Sequence, residues 1–325
     1  MKREHALSLL MLIVSLTVCA LGIELYVRTF VDDGMHFDLE MWKYARDVKV
    51  ISDDPMIGHA HRPHSEAQLM GVDVKINSNG LRDREIPYER TGPARRILML
   101  GDSFTEGWGV PFDQTFSKRI EGLYAARGTN AEVINTGVGN YNTIMEVEYF
   151  LKEGYKYQPD VVVLNYIPND AEPTPPHARP GLAMRHCYSC VFLLSSMDTL
   201  LRELSLRPDW ETYYRNLYDE GRGKGWIGAK TAIGKLAEYC KANNIRLLIA
   251  HLPDIHGFEP YPLQKVTDLL AQTAKENGAD FVDVMPDFKG HEPAKLWVSP
   301  TDAHPNGIGN EIIANALFRK LETMK

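Results

Sequence analysis

From Arg95 onward the chain alternates short apolar runs with longer amphipathic stretches, and nothing else in the sequence restricts the fold as tightly. Residues 96–100, 132–135, 160–165, 245–251 and 280–284 are β-branched or leucine-rich and have the length of fully buried strands. Residues 115–127, 145–155, 227–242, 266–277 and 309–324 carry helical periodicity. A parallel strand pair needs a crossover, and crossovers are right-handed, so helices come to cover both faces of the sheet. The pattern predicts an α/β fold, a three-layer α/β/α sandwich around a parallel, flavodoxin-like sheet over residues 95–325.

The N-terminus has a different character. Residues 6–23 follow a basic start and are apolar except for Ser8, Ser15, Thr17 and Gly22. At roughly 1.5 Å per residue this run reaches about 27 Å, and Leu25, Tyr26 and Val27 extend it to the thickness of a hydrocarbon core. Lys2 and Arg3 precede it, while Glu24, Asp32 and Asp33 follow. The positive-inside bias then predicts a cytoplasmic tail over 1–5, a transmembrane signal anchor over 6–28 and an extracytoplasmic remainder, periplasmic or extracellular. A cleaved signal peptide, cut near Ala20 or Gly22, is the alternative, and it delivers the domain to the same side.

Residues 29–94 read as a membrane-proximal extension with little helical periodicity, packed on the main domain. Val72, Val74 and Ile76 alternate with polar residues as a half-buried strand does. His59, His61 and His64 lack the spacing of a metal site, so an exposed, extended stretch is expected there. A second irregular region, 171–225, contains Pro173, Pro175 and Pro176 and then an apolar run. Cys190, Val191, Leu193, Leu194, Met197, Leu200, Leu201 and Leu204 approximate one helical face, either a lid over the site or an ordinary core helix.

Composition narrows the function classes. The net charge of −7 is spread along the chain without basic clusters, which excludes a nucleic-acid footprint. Four cysteines are too few for a disulfide scaffold. Cys187 and Cys190 lie beside His186 without a second ligand pair, so a local disulfide or two buried thiols are expected, and no metal.

Ligands of parallel sheets sit beyond the carboxyl ends of the strands, and those ends are polar here. The first strand runs into Gly101-Asp102-Ser103, where Ser103 reads as a nucleophile or as a plain helix N-cap. The second strand ends at Asn135 and continues Thr136-Gly137-Val138-Gly139-Asn140, and the third leads into Ile167-Pro168-Asn169-Asp170. Both loops offer hydrogen-bond donors for a developing oxyanion. Before the last helix, Asp302-Ala303-His304-Pro305 supplies a carboxylate and an imidazole on the same side of an extended segment.

These blocks, in this order over about residues 95–323, resemble the SGNH/GDSL hydrolase superfamily. The resemblance implies Ser103 as nucleophile and His304 as base, with Asp302 behind it. It implies an oxyanion hole formed by Ser103, Asn140 (or Gly139) and Asn169. Asn140 stands where the family usually has glycine, and Ile167 replaces the usual glycine two residues before Asn169. The Asp-x-His spacing is that of exopolysaccharide-modifying members. In such a family Asp102, Glu106 and Asp170 are structural and no cofactor is required. The expected activity is that of a serine esterase cleaving an ester, chiefly acetyl, on a small molecule or on a cell-surface or exported glycan. An O-acyltransferase using a sugar hydroxyl and an inactive glycan-binding protein are the alternatives. The expected partners are the ester substrate and, through the N-terminal helix, the membrane.

Overall fold

The computed structural model describes residues 2–175, 181, 183–219 and 224–324, so Pro176 lies outside the described residues. Helix α1 (Lys2–Tyr26) continues through one π-helical stretch, Val27–Val31. It is long and apolar enough to cross a membrane, and its most apolar window is not buried against the rest of the molecule.

The extension begins with α2 (Phe37–Asp47), a helix in a segment whose sequence shows little helical periodicity. Its buried residues are Leu39, Glu40 and Tyr44. A charge within the buried face breaks the apolar pattern that sequence reading depends on. Glu40 is accommodated because one oxygen accepts the Met70 N–H at 3.1 Å and the other accepts from Lys43 Nζ at 2.7 Å. Two antiparallel hairpins follow: β1 (Lys49–Ile51) with β2 (His59–His61), and β3 (Glu66–Leu69) with β4 (Val72–Lys75). Val74 and Ile76 are buried, in keeping with the alternation. The expectation of an exposed histidine stretch is corrected: His61 is buried and His59 half-buried, because β2 is folded against the polar loops of the sheet, and only His64 is exposed.

The main domain runs as the periodicity predicts. Strand β5 (Arg95–Leu100) leads to the single turn α3 (Ser103–Glu106) and then α4 (Phe116–Ala126), and β6 (Ala131–Asn135) leads to α5 (Thr143–Lys152). Strand β7 (Val161–Tyr166) precedes α6 (Tyr188–Glu203), α7 (Trp210–Leu217) and α8 (Lys224–Ala242). Then come β8 (Arg246–His251), α9 (Gln264–Glu276), β9 (Asp280–Asp283), α10 (Met285–Phe288), the hairpin β10 (Trp297–Ser299) and β11 (Asp302–Pro305), and α11 (Gly307–Thr323). The five-stranded sheet has the order β6-β5-β7-β8-β9 and is parallel throughout. Helix α4 packs with α11 and α5 with α8, forming the helical layers that keep β5 and β7 buried along their length. The chain steps outward from β5 to β6 and returns to β7, so the crevice for a ligand opens beyond β5 and its two neighbours.

Helix α6 forms in the second irregular region, but none of its residues is buried, so it is not a core helix. It packs against α2 and the end of α1. Cys187 and Cys190 are joined in a disulfide at its start.

Candidate active site

The exit of β5 is built by close approach. A Cβ at Gly101 would lie 2.0 Å from Thr105 Oγ1, so only glycine lets the chain fold back this tightly. Asp102 caps α3, accepting the Phe104 N–H at 3.0 Å. The cap is therefore Asp102 and not Ser103, whose hydroxyl is left for other partners. Ser103 is 5% exposed.

Strand β11 brings the other two side chains across the site from two hundred residues away. Ser103 Oγ lies 2.8 Å from His304 Nε2, and His304 Nδ1 lies 2.5 Å from Asp302 Oδ1. The His304 backbone N–H also donates to Asp302 Oδ1, and the Trp108 indole N–H donates to Asp302 Oδ2 at 2.8 Å. With Nδ1–H committed to the carboxylate, Nε2 is free to accept the Ser103 proton. The arrangement can therefore activate a hydroxyl for attack on a carbonyl.

Burial works to raise the Asp302 pKa, but the facing His304 charge and the donated hydrogen bonds hold it below the usual carboxylate value. Burial works to lower the His304 pKa, and Asp302, joined by Asp102 and Glu106, overcomes it and raises the imidazole above its ordinary value. The ring is enclosed by Phe104, Phe37 and Trp108, with centroids 5.3, 5.7 and 6.2 Å away.

The two loop asparagines differ in placement. Asn169, in the short turn after β7, donates from Nδ2 to Asp102 Oδ2 at 3.3 Å, the same oxygen that lies 3.3 Å from Ser103 Oγ. Asn140 sits on the β6–α5 loop with φ +64°, a left-handed backbone that asparagine tolerates better than most residues. Among the described residues it shares no hydrogen bond with Ser103 or Asn169.

The model of the GDSL-like lipase/acylhydrolase family matches residues 99–312, which span all of these blocks. The chain belongs to that family. It is accordingly a serine hydrolase acting on esters. Solved structures similar to this GDSL-like hydrolase include TesA, at 13% identity, covering 71% of this chain and 100% of that one with a TM-score of 0.47. Another is the psychrotrophic esterase EstA from Pseudoalteromonas sp., at 16% identity, 71% and 98% coverage and a TM-score of 0.45. A third is a catalytic mutant of an acetylxylan esterase from Geobacillus stearothermophilus, at 17% identity, 72% and 96% coverage and a TM-score of 0.47. Comparison with curated protein sequences finds no match.

The extension contributes residues to this GDSL-like site that sequence reasoning did not single out. Tyr44 Oη accepts the Gly139 N–H at 3.0 Å and bonds His61 Nε2 at 2.5 Å, while His61 Nδ1 reaches the Gly80 carbonyl. Lys49 Nζ donates to the Gly139 carbonyl at 2.5 Å and to Asn140 Oδ1 at 2.8 Å, and His59 Nε2 bonds the same carbonyl at 3.0 Å. A Cβ at Gly139 would lie 2.7 Å from Tyr44, so the loop and the extension are fitted to each other. Burial lowers the Lys49 pKa to about 7, with Glu106 and Asp102 pulling against it. Burial, reinforced by Lys49, lowers both histidines to about 3, so they act as neutral hydrogen-bonding struts. Arg82, also from the extension, donates to the carbonyls of Glu106, Gly107 and Val110, bracing the turn after Ser103. Behind the asparagines, Glu146 on α5 and Asp170 form a buried carboxyl pair. Burial pushes both well above the carboxylate range, with the Asp170 charge adding to the rise at Glu146 and the Asp102 charge adding to it at Asp170.

Proposed function

We propose that this GDSL-like hydrolase removes acetyl groups from an exported or cell-surface polysaccharide and is held outside the membrane by α1. Ser103 Oγ attacks the ester carbonyl as His304 Nε2 takes its proton. The imidazolium then protonates the departing alkoxide as the ester C–O bond breaks, and water releases acetate from the acyl-enzyme by the same relay. The negative oxygen is received by the N–H groups of Ser103 and Asn140 and by Asn169 Nδ2. The observation that carries this reading is the unbroken run of hydrogen bonds from Trp108 through Asp302 and His304 to Ser103. A small acyl group is favoured because Ser103 is almost covered and Ile167 is buried at the loop that carries Asn169. The topology is supported by Lys2 and Arg3 before the apolar helix and by acidic residues after it.

The test uses the full chain in detergent with p-nitrophenyl esters of increasing chain length and with an O-acetylated glycan. Preference for the acetyl ester and release of free acetate from the glycan are expected. Cleavage of the small ester with no attack on any glycan would overturn the substrate assignment, and transfer of the acetyl group to a sugar hydroxyl would make the enzyme a transferase.

Two further outcomes follow from the same chemistry. Replacing Asn169 by alanine removes one of the three oxyanion donors, and kcat on p-nitrophenyl acetate is expected to fall by roughly 10² to 10³. A loss of only a few fold would show that the oxyanion lies elsewhere. The rate should also depend on pH in a definite direction. His304 must be neutral to act, and the surrounding carboxylates stabilise its protonated form, so its proton leaves only at a higher pH. The acid limb of kcat/KM is therefore expected to rise through a midpoint above about 6.5. A midpoint below that value would exclude His304 in this environment as the base.

A further inference from the structure

We propose that the outward face of α6 lies in the interfacial layer of the membrane that α1 crosses, in the leaflet at the C-terminal end of α1. This rests on the reading of α1 as a spanning helix. Leu193, Met197, Leu200 and Leu204 are spaced four, three and four residues apart, which puts them on one stripe of the helix. They are 52, 51, 51 and 59% exposed, and Leu206 and Trp210 continue the apolar surface beyond the helix end. Such a contiguous apolar surface on a soluble domain marks a contact face.

Its position identifies the partner. Glu24, near the end of α1, accepts the backbone N–H groups of Tyr188 and Ser189 at 3.1 and 2.8 Å and the Ser189 hydroxyl at 2.7 Å. Arg28 donates to the His186 carbonyl at 2.6 Å, and its guanidinium lies 4.1 Å over the Tyr188 ring. The first turn of α6 is thus fastened to the point where α1 leaves the bilayer. Exposed Leu25, Tyr26 and Phe30 make the apolar surface of α1 continuous with this junction. Aromatic residues at such a boundary are suited to the headgroup layer. Arg202 and Arg207 near the far end of α6 are both ion-paired with Asp198, so apolar area, and not attraction to anionic headgroups, supplies the contact.

The same helix touches the segment that packs on the active site. Phe192 of α6 stacks edge-on against His36, and the adjacent Phe37 packs on His304. A face resting on lipid would hold the site close to the membrane surface.

The full chain would be reconstituted in phosphatidylcholine vesicles containing lipids with a nitroxide on the acyl chain. An environment-sensitive fluorophore would be attached at Met197→Cys, or at the exposed position Gln272→Cys on α9 as a control, each in a Cys19→Ser background. Loss of most of the fluorescence at position 197, with none at 272, is expected even without anionic lipid. A carbonate wash separates the two readings. Protein retained by the vesicles with position 197 unquenched overturns the proposal and leaves the spanning helix intact, whereas protein stripped from the vesicles overturns both. Self-quenching between labels at 197, with protection from the lipid nitroxide, would assign the face to a second copy of the chain and overturn the proposal in favour of a dimer.

Discussion

The Ser103→Ala variant is expected to lose p-nitrophenyl acetate turnover by on the order of 10⁴ to 10⁶, with its fold unchanged. Alanine removes only the hydroxyl, and Asp102 still caps α3 through the Phe104 N–H, so the turn around position 103 keeps its support. His304→Ala should cost about as much. The two act as a unit, because the base is useful only while it shares a proton with the hydroxyl 2.8 Å away. The double variant should therefore be no slower than either single one, where independent contributions would multiply. Multiplying losses would show that Ser103 and His304 do not serve one step. A folded wild-type protein with no turnover, but with glycan binding that survives Ser103→Ala, would instead identify a binding protein built on a hydrolase fold.

The second large effect is expected from Asp302→Asn. The amide keeps the size of the side chain and can still accept the Trp108 indole N–H, but it no longer carries the charge that stabilises the imidazolium. It also permits the wrong tautomer at Nδ1, and by analogy with other triads kcat should fall about 10⁴-fold. A shift in the acid limb distinguishes this from misfolding. Asp302 is the foremost group raising the His304 pKa, so its neutral replacement should move the residual activity's acid midpoint toward lower pH. Trp108→Phe removes one donor to Asp302 while keeping an aromatic ring against His304, and it should lower kcat by much less than Asp302→Asn. Loss of activity in Asp302→Asn without any movement of the acid limb would mean that Asp302 holds the loop in place and does not act electrostatically on His304.

The parallel sheet and its crossover helices were legible because buried strands and amphipathic helices write their periods directly into the chain. The site blocks were legible for a related reason: Ser103 and the loops that carry Asn140 and Asn169 follow strands whose ends a parallel topology gathers, whereas Asp302 and His304, which lie in the antiparallel hairpin β10–β11, were marked only by their spacing in an extended segment. Helix α2 escaped this reading because Glu40 occupies its buried face, balanced by Lys43 and the Met70 N–H. His59 and His61 looked like surface residues for the same reason. A polar side chain is buried only when a partner satisfies it, and their partners, Gly139 and Tyr44 with Gly80, lie elsewhere in the chain. Trp108 gave no signal beyond its proximity to Ser103, because its role depends on Asp302, which is 194 positions away.

Local periodicity and turn chemistry, then, were enough to establish the α/β architecture, the apolar N-terminal helix and the loops that carry polar side chains. Only the tertiary structure decided that the extension braces the Gly139–Asn140 loop, that Phe37 and not α6 covers His304, and that the apolar stripe of α6 faces outward beside the end of α1. Periodicity is a property of neighbours along the chain, whereas the burial of a charge or the exposure of a leucine depends on what the fold sets opposite it.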